Sequence, residues 1–505
     1  MKIFNSSQIR KADAYTIAHE PVTELKLMER AAEACAKWLE DEIPRETVFY
    51  IFCGSGNNGG DGLALARLLC HNGLSTHVFV GESNEQASEA RSVNFQRLAE
   101  HPEIAVHQLE DAVELDFEAN SVLVDALFGT GLNREIDGKY AELINFLNEL
   151  PFRRISIDVP SGLFADRLIK ENATVFTAHD TLSFQFWKQS FLHPETGAFC
   201  GNVHILDIGL HKNFVESEPS NRFVTDDAVI FQLYKPRSPF THKGKLGKTR
   251  IIAGSYGKMG AAVLAVKAAV HCGSGLTVIE APECGNEILQ TSCPEAMFEL
   301  NGDQYATAFL INENESVGVG PGLGTNPDTA KAFLKFLQDC TQPMVIDADA
   351  LNIIASNPDS LKMIPKDSIL TPHPKEFERL FGSTANSYER VDLAQKMAAE
   401  LGVTIVLKDH FTQICLPDGS VYYNTTGNAG MAKGGSGDVL LGIITSLLAQ
   451  KYEPAQAAIF GVWLHGKAGD FAMQKSSVEA MLPTDLISEL GSVFKCLSEK
   501  KGQIH

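Results

Sequence analysis

Short apolar runs rich in β-branched residues alternate with helical periodicity over the first half of the chain. This pattern predicts buried strands at residues 48–52, 76–80, 121–125 and 154–158. The intervening periodicity predicts helices at 60–71, 86–100 and 139–147, preceded by a largely helical segment at 7–42. Strands that alternate with helices form a parallel sheet with helices on both faces, so the first half is predicted to be an α/β domain.

The alternation begins again after a polar stretch, HKNFVESEPSN at 211–221, which we interpret as a linker. Further strands are predicted at 249–254, 275–280, 316–320, 343–347, 368–372 and 403–407, with a helix at 260–272. The runs QICL and VYYN, separated by PDGS, indicate a β-hairpin. The pattern from Gly437 onward is mainly helical. We therefore predict two α/β domains, at residues 1–215 and 222–498.

Composition and charge narrow the functional classes. At 505 residues, the chain is long enough for two to four domains of roughly 150 residues each. A net charge of −20 argues against non-specific nucleic-acid binding, which needs a basic surface. The amino terminus lacks the apolar core of a signal peptide, and no apolar run approaches the ~20 residues of a membrane span. Ten scattered cysteines suit reduced thiols. We expect a soluble cytoplasmic protein that acts on small molecules.

Three loops that follow predicted strands combine glycine with oxygen-bearing side chains. They are GSGNNGGDG at 54–62, DALFGTG at 125–131 and DVPSG at 158–162. Ligands of open α/β sheets bind at the carboxyl ends of the strands, and glycine allows close approach of the backbone. A helix that starts near Gly59 and Gly60 can hold an anion, while the side-chain oxygens suit a hard cation. The alternative is that these polar residues only form turns and helix caps.

These motifs, with the later DIGL, resemble the NAD(P)H-hydrate epimerase domain over residues 8–212. The resemblance implies a Rossmann-like three-layer αβα fold, with a K⁺ ion held by Asn58, Asp125 and Ser161. It implies that Asp158 is catalytic and also binds substrate. The other implied substrate-binding residues are Asn57, Asn58, Gly59, Gly60, Asp61, Gly129, Thr130, Gly131, Leu132, Asn133, Arg134 and Glu135. Lys188 matches a lysine segment of the family, whereas FADRLIKEN at 164–172 departs from the family pattern.

A second glycine-rich stretch, GNAGMAKGGSGDVLLGI at 427–443, has a different chemical character. GGSG at the start of a helical run places backbone N–H groups where they can stabilise an anion during phosphoryl transfer. Asp438 follows directly and is suited to accept a proton from a hydroxyl nucleophile. The P-loop lysine is missing from this motif. The alternative is an aspartate that merely complements the dipole of its helix.

This stretch resembles the ribokinase-like fold. THKGKLGK, GSYGKMGAA, GPGLG, DADALN, LTPHPKEFERL, VLKDHFT and HGKAGD narrow the resemblance to the ADP-dependent NAD(P)H-hydrate dehydratase over 225–495. It implies that Ala262, Gly324, His373 and Asp438 face the substrate, with Asp438 catalytic. It implies a nucleotide site formed by Lys408, Asp409, His410, Phe411, Thr412, Gly434, Gly435, Ser436 and Gly437. Lys375 and Asp409 stand where the family commonly has glycine.

The two resemblances together imply one bifunctional repair enzyme for hydrated nicotinamide cofactors. The first domain would epimerise R- and S-NAD(P)HX at C6, and the second would dehydrate the S form with ADP and Mg²⁺, giving AMP and phosphate. Its expected partners are NADHX, NADPHX and ADP, with no nucleic acid or membrane, and we expect a homo-oligomer. Two alternatives stay open, namely a small-molecule kinase in the second domain and a partner-binding scaffold in the first. ADP rather than ATP follows only from the resemblance.

Overall fold

The computed structural model describes residues 1–81, 88–310, 312 and 314–502. The chain divides into two compact units, one formed by Lys2–Ser220 and the other by Asn221–His505 together with Met1. Both units are built on sheets dominated by parallel strands, which confirms the predicted α/β class. Among the described residues, no helix combines the length and the apolar character that a membrane crossing requires.

The first unit contains helices α1–α7 and strands β1–β7. The helices are α1 (Ser6–His19), α2 (Glu24–Glu42), α3 (Asn57–His71), α4 (Glu89–Leu98), α5 (Gly138–Glu149), α6 (Pro194–Gly197) and α7 (Lys212–Ser217). The strands are β1 (Val48–Cys53), β2 (Ser75–Val80), β3 (Ala105–Gln108), β4 (Ser121–Ala126), β5 (Arg153–Ile157), β6 (Asp180–Phe184) and β7 (Asn202–Leu206). All seven strands are parallel, in the order β3-β2-β1-β4-β5-β6-β7.

Alternate side chains of β1 enter different helical layers, as expected for a strand buried on both faces. Phe49 and Ile51 pack in a core with residues of α2 and α3. Tyr50 and Phe52 pack on the other face with residues of α5. The strand order reverses between β1 and β4. In an open sheet of this kind, the ligand crevice lies at that reversal, beyond the carboxyl ends of the strands.

The second unit contains α8–α17 and β8–β17. Its helices are α8 (Asp227–Leu233), α9 (Met259–His271), α10 (Asn286–Ser292), α11 (Pro327–Asp339), α12 (Ala348–Ala355), α13 (Pro374–Phe381), α14 (Ser387–Leu401), α15 (Ser436–Ala449), α16 (Pro454–Lys475) and α17 (Pro483–Gly502). Its strands are β8 (Arg222–Val224), β9 (Lys248–Ile252), β10 (Leu276–Ala281), β11 (Met297–Leu300), β12 (Ser316–Val319), β13 (Met344–Ile346), β14 (Ile369–Leu370), β15 (Thr404–Leu407), β16 (Gln413–Cys415) and β17 (Val421–Tyr423).

These strands form one sheet in the order β11-β10-β9-β12-β13-β14-β15-β16-β17-β8. The strands from β11 to β15 are parallel, so the loops after β9, β12, β13, β14 and β15 meet at one edge. The predicted hairpin is confirmed as the antiparallel pair β16 and β17. Helix α15 is buried along its length after the first turn, and it packs with α9, α16 and α17 in one core.

The predicted connection between the units is only partly matched, since the chain divides between Ser220 and Asn221, within the stretch 211–221. The stretch 211–221 was interpreted as a polar linker, but its residues Lys212–Ser217 form α7. The reason is Phe214, which is buried and packs its ring edge-on against Phe4 in the core of the first unit. A further difference concerns the predicted helix at 86–100, which is observed as Glu89–Leu98. The first two residues of that prediction lie outside the described residues.

Candidate functional sites

A cavity of about 620 Å³ opens at the carboxyl ends of β1, β4 and β5 in the first unit. At two positions, the turn after β1 is so tightly packed that only glycine fits. A Cβ atom on Gly54 would lie 1.9 Å from the carbonyl oxygen of Leu127, and one on Gly59 would lie 2.0 Å from the carbonyl oxygen of Gly54. The glycines therefore bring the loops after β1 and β4 into contact, which places Asn57, Asn58 and Asp61 on the cavity wall.

Of the three residues predicted to hold K⁺, Asn58 lines this cavity, whereas Asp125 and Ser161 are fully buried and hydrogen-bonded to each other. Asp125 is fully buried at the end of β4, and its carboxylate accepts hydrogen bonds from the Ser161 hydroxyl (2.6 Å) and the Ser161 amide (2.8 Å). Burial raises the pKa of Asp125 to about 6, although these hydrogen bonds oppose the shift. The amide oxygen and nitrogen of Asn58 are buried and have no hydrogen-bond partner among the described residues. Such orphaned polar atoms call for a ligand.

Asp158 is held in a conformation that aspartate rarely adopts, with φ of +66°. The carboxylate oxygen Oδ1 lies 3.0 Å from the ammonium group of Lys188, whose side chain is fully buried. The other oxygen, Oδ2, accepts a hydrogen bond from the amide of Thr130 (2.9 Å). Gly129 is required beside it, since a Cβ atom there would lie 2.8 Å from Oδ2 of Asp158. Strain of this kind is typical of functional sites.

Two further acids share the cavity with Asp158. Burial raises the pKa of Asp13 to about 7, with a further contribution from the charge of Asp158 that Lys188 partly offsets. Burial also raises the pKa of Asp61, and the charges of Asp158 and Asp13 add to the effect. The sequence analysis missed Asp13, which α1 brings to the cavity wall. No comparable sequence signal pointed to Asp13, because it lies on α1 and not in a loop that follows a strand.

The remaining predicted residues of this site divide into two groups. Residues 129–134 line the cavity, and Gly59 and Gly60 are buried in the first turn of α3. Glu135 points elsewhere and forms an ion pair with Lys170 (2.7 Å). Lys170 belongs to the segment that departs from the family pattern, and Arg167 of the same segment donates to the Asn133 carbonyl (2.8 Å). The divergent segment thus supports one wall of the cavity.

In the second unit, the glycine-rich loop ends at the start of α15. Gly435 is the N-cap residue, with φ of +104°, so the free amides of the first turn are available to an anion. Gly437 lies against two charged side chains of neighbouring loops. A Cβ atom there would lie 3.3 Å from Nζ of Lys408 and 3.5 Å from Oδ2 of Asp347. The structure therefore brings the predicted anion site and Lys408 together.

Asp438 lies in the first turn of α15, and it makes no hydrogen bond or ion pair within the described residues. Burial raises its pKa to about 7, and the charge of Asp347 contributes to the increase. Lys408 counteracts this increase and forms an ion pair with Asp347 (2.7 Å). A carboxylate that titrates near neutral pH is suited to act as a general base. Asp347 is a second acidic residue that the predicted site did not include.

A buried histidine of α16 supports the start of α15. His465 Nε2 lies 2.9 Å from the carbonyl oxygen of Ser436, so this nitrogen is the donor. Burial lowers the pKa of His465 to about 4, which keeps the ring neutral at physiological pH. On the same helix, Asp470 accepts hydrogen bonds from the Gly427 amide (3.2 Å) and the Asn428 side chain (3.3 Å). The motif HGKAGD thus anchors both ends of the glycine-rich loop.

The other predicted residues of this site occupy different positions. The amide of Gly324 donates to Asp349 (2.8 Å), and His373 caps the start of α13 through Nδ1. The side chain of Ala262 is fully buried in the hydrophobic core, so the structure does not bring it to the site surface. Asp409 pairs with Arg390 (3.3 Å). His410 and Lys375 are exposed, whereas Phe411, Thr412, Gly434 and Ser436 are exposed or partly exposed in the two loops.

Comparisons with known proteins match both units. Residues 24–190 match the family model described as YjeF-related protein N-terminus, and residues 249–491 match NAD(P)H-hydrate dehydratase. The bifunctional NAD(P)H-hydrate repair enzyme Nnr of Moorella thermoacetica is 31% identical over 99% of this chain and 98% of its own length. Its counterpart from Coxiella burnetii is 33% identical over 97% and 98%. The counterpart from Escherichia coli is 32% identical over 97% and 93%.

One similar solved structure is the ADP/ATP-dependent NAD(P)H-hydrate dehydratase from Bacillus subtilis, co-crystallised with ATP/Mg²⁺. It is 31% identical and covers 55% of this chain and 98% of its own, with a TM-score of 0.49.

Proposed function

The chain belongs to the family of bifunctional NAD(P)H-hydrate repair enzymes, and from this premise we propose that its two sites act in sequence on one damaged cofactor. The first unit would interconvert the R and S forms of NADHX and NADPHX. The second would dehydrate the S form with ADP. We assign residues 1–215 to the epimerase domain and 222–498 to the dehydratase domain. The observation that carries this proposal is that each unit places carboxyl groups with raised pKa values beside a second charged acid, namely Asp13 and Asp61 beside Asp158, and Asp438 beside Asp347.

In the epimerase domain, the cavity residues are suited to acid–base chemistry at C6. Lys188 forms an ion pair with Asp158, whereas burial raises the pKa of Asp13 to about 7 and favours its protonated form. Two carboxyl groups in different environments can divide the roles of base and acid in one reaction. We propose that Asp158 handles a proton at the substrate, while the loop residues Asn57–Asp61 and Gly129–Arg134 bind and orient the dinucleotide.

We also propose that K⁺ binds between the loops that carry Asn58, Asp125 and Ser161, because these residues supply suitable donors. Asn58 supplies a buried carboxamide oxygen without a partner, and Asp125 supplies a buried carboxylate. The Ser161 hydroxyl lies beside that carboxylate. These oxygens are the donors that a hard cation prefers. When bound, the ion would neutralise buried negative charge and order the three loops, so that Asp158 stays correctly placed.

In the dehydratase domain, the difficulty is that hydroxide is a poor leaving group. We propose that Asp438 takes the proton of the C6 hydroxyl as its oxygen attacks the β-phosphorus of ADP, bound as its magnesium complex. The β-phosphoryl group passes to the hydroxyl oxygen, and AMP leaves. The free amides at Gly434–Gly437 would stabilise the developing charge, together with Lys408. Residues Lys408–Thr412 would border the nucleotide.

The elimination then needs no further acid from the protein. The lone pair of the ring nitrogen expels phosphate from C6, and the C5 proton passes to the departing phosphate, which restores the C5=C6 double bond. The products are NAD(P)H, AMP and phosphate. Gly324 and His373 lie in loops at the same sheet edge, and we assign them to the hydrate pocket.

Absorbance at 340 nm tests the proposal directly, because only the repaired cofactor absorbs there. Purified protein is mixed with both NADHX epimers, K⁺, Mg²⁺ and either ADP or ATP. Full recovery of NADH with ADP is expected. Recovery limited to the S fraction would contradict the epimerase assignment, and accumulation of a stable phosphorylated product would identify a small-molecule kinase instead. Asp438→Asn should lower dehydration by about 10²–10⁴-fold, and near-normal dehydration by this variant would contradict the assigned base.

A further inference from the structure

A group of three potential metal ligands lies in the first unit outside the cavity. Cys70 is in the last turn of α3, while His101 and Glu103 are in the turn that leads from α4 to β3. Their ligand atoms all lie within 4.8 Å of one another. Neither the epimerase nor the dehydratase chemistry uses these residues.

The two distances from Glu103 are close to the ligand spacing of a tetrahedral metal site. Oε1 of Glu103 lies 3.3 Å from Sγ of Cys70 and 3.1 Å from Nδ1 of His101. In a tetrahedral zinc site, metal bonds of about 2.0 Å to nitrogen or oxygen and 2.3 Å to sulfur place neighbouring ligands about 3.3–3.5 Å apart. A thiolate, an imidazole and a carboxylate are also the donor types that zinc takes in proteins.

The backbone around these residues is already fixed by the core. Leu69 precedes Cys70 and is fully buried, and Ile104 follows Glu103 and is also buried. The turn itself is held by hydrogen bonds from the His101 amide to the Leu98 carbonyl (2.9 Å) and from the Ile104 amide to the His101 carbonyl (3.0 Å). A metal ion would therefore bind without ordering a loose segment, which reduces the entropic cost of binding.

The side chains also remain accessible to an ion. The side chain of His101 is 23% exposed and that of Glu103 is 56% exposed. Cys70 is partly exposed, so its thiol can lose a proton to solvent as the metal binds. Three protein ligands leave a fourth position for water.

We propose that Cys70, His101 and Glu103 form a surface site for a thiophilic divalent cation, with Zn²⁺ as the physiological candidate. The ion replaces the hydrogen bonds to Glu103 and ties the end of α3 to the start of β3. Because α3 begins at the glycine-rich turn of the cavity, the site stabilises the far end of the same helix. This site is independent of the proposed repair activity.

Co²⁺ titration of the tag-free, reduced full-length protein tests this inference, because cobalt reports its ligands spectroscopically. We expect a near-ultraviolet thiolate-to-cobalt charge-transfer band and the visible bands of tetrahedral cobalt, which saturate at one equivalent and disappear when Zn²⁺ is added. Cys70→Ser should abolish the charge-transfer band. His101→Ala should weaken Co²⁺ binding by at least about tenfold. Loss of a residue that merely supports a metal ligand usually costs that much, so loss of a ligand should cost no less.

The matched control is Cys284→Ser, which removes another partly exposed cysteine and should leave the titration unchanged. A wild-type protein without the charge-transfer band, or a band that persists in Cys70→Ser, would overturn the proposal. A second measurement needs no variant. Zn²⁺ should slow alkylation of Cys70 relative to Cys284, as followed by mass spectrometry, and equal slowing of both thiols or of neither would also contradict the site.

Discussion

The carboxyl group of Asp438 is placed so that its protonation should control dehydration near neutral pH. Burial and the charge of Asp347 raise its pKa to about 7, and Lys408 opposes that increase. A base must be ionised to act, so kcat/KM should fall about tenfold per pH unit below that pKa and be level above it.

Lys408→Met removes the opposing charge, so the pKa of Asp438 rises further. The acidic limb of the pH profile for kcat/KM should therefore move to higher pH. The pH at which the limb occurs is the measured quantity. Weaker nucleotide binding by this variant would lower kcat/KM at every pH and would leave that position unchanged. Lys335→Met, at an exposed position on α11, is the matched control and should leave the limb in place. An unmoved limb in Lys408→Met would mean that another group sets the profile.

Asp13 offers a cleaner test of the epimerase site than Asp158. Asp158→Asn leaves the buried ammonium of Lys188 without its counter-ion, a defect that costs about 3–5 kcal/mol of stability. Asp13 has no hydrogen bond or ion pair within the described residues, so Asp13→Asn should fold normally. We expect about a 10²–10⁴-fold loss of epimerisation.

With an epimer mixture, Asp13→Asn should show a fast recovery of the S fraction and a second phase slowed to the spontaneous rate. The fast phase serves as the internal control for the dehydratase domain. Asp41→Asn, at an exposed position on α2, should show both phases unchanged. A normal second phase in Asp13→Asn would exclude Asp13 from the reaction.

At the residue scale, the sequence indicated candidate site residues in loops that follow strands. It missed a cavity residue that lies on a helix outside those loops. Asn58, Asp125 and Ser161 could be grouped because parallel strands end at one edge. Asp13 comes from α1, before the first strand, so strand ends gave no reason to include it. The assignment of Ala262 stays a prediction, although its burial in the hydrophobic core indicates a packing role for this small residue.

At the scale of elements, the alternating pattern predicted the central strands because they are apolar throughout. Strands β3 and β7 lie at the two edges of the first sheet and are only partly buried, so their polar residues interrupt any apolar run. Helix α7 was not predicted, for a related reason. It has six residues and one buried phenylalanine, which is too short for a helical periodicity to be recognised. The order of the strands in the first sheet could not be predicted, because it depends on contacts between residues that are distant in sequence.

Strand β9 contributes Arg250 to a buried ionic network that no sequence motif indicated. The guanidinium of Arg250 is buried and contacts three carboxylates on neighbouring elements, with Glu280 at 2.6 Å, Glu299 at 2.8 Å and Glu315 also within hydrogen-bonding distance. Removal of one partner from a buried ionic group leaves uncompensated charge. Arg250→Met should therefore destabilise the second unit by about 3–5 kcal/mol.

Unfolding of that unit can be followed by Trp463 fluorescence in a Trp38→Phe, Trp187→Phe background, where it is the remaining tryptophan. Lys248→Met is the matched control, because Lys248 also pairs with Glu315 but is 28% exposed. Its expected cost is at most about 1 kcal/mol. Equal urea midpoints for the two variants would show that the buried network adds no stability beyond a surface pair.

At the scale of the whole molecule, the sequence predicted one protein with two enzymatic domains. The family assignment is confirmed by relatives that align over nearly the full length of the chain. The residues that line the cavity all belong to the first unit, and the groups around Asp438 all belong to the second. Each of these two groups of described residues is therefore assembled from one unit.

Because the residues proposed for each reaction belong to one unit, we expect two singly inactivated chains to complement each other in solution. Asp158→Asn alone should recover only the S fraction of NADHX promptly, and Asp438→Asn alone should recover none. An equimolar mixture should recover all of the NADH at 340 nm, since the S epimer released by one chain diffuses to the other. The rate of NADH recovery by the mixture should rise with total protein concentration. The rate measured with the same amount of wild-type protein is the upper limit. Failure of the mixture to exceed Asp158→Asn alone would mean that the epimer passes between domains of one chain without release.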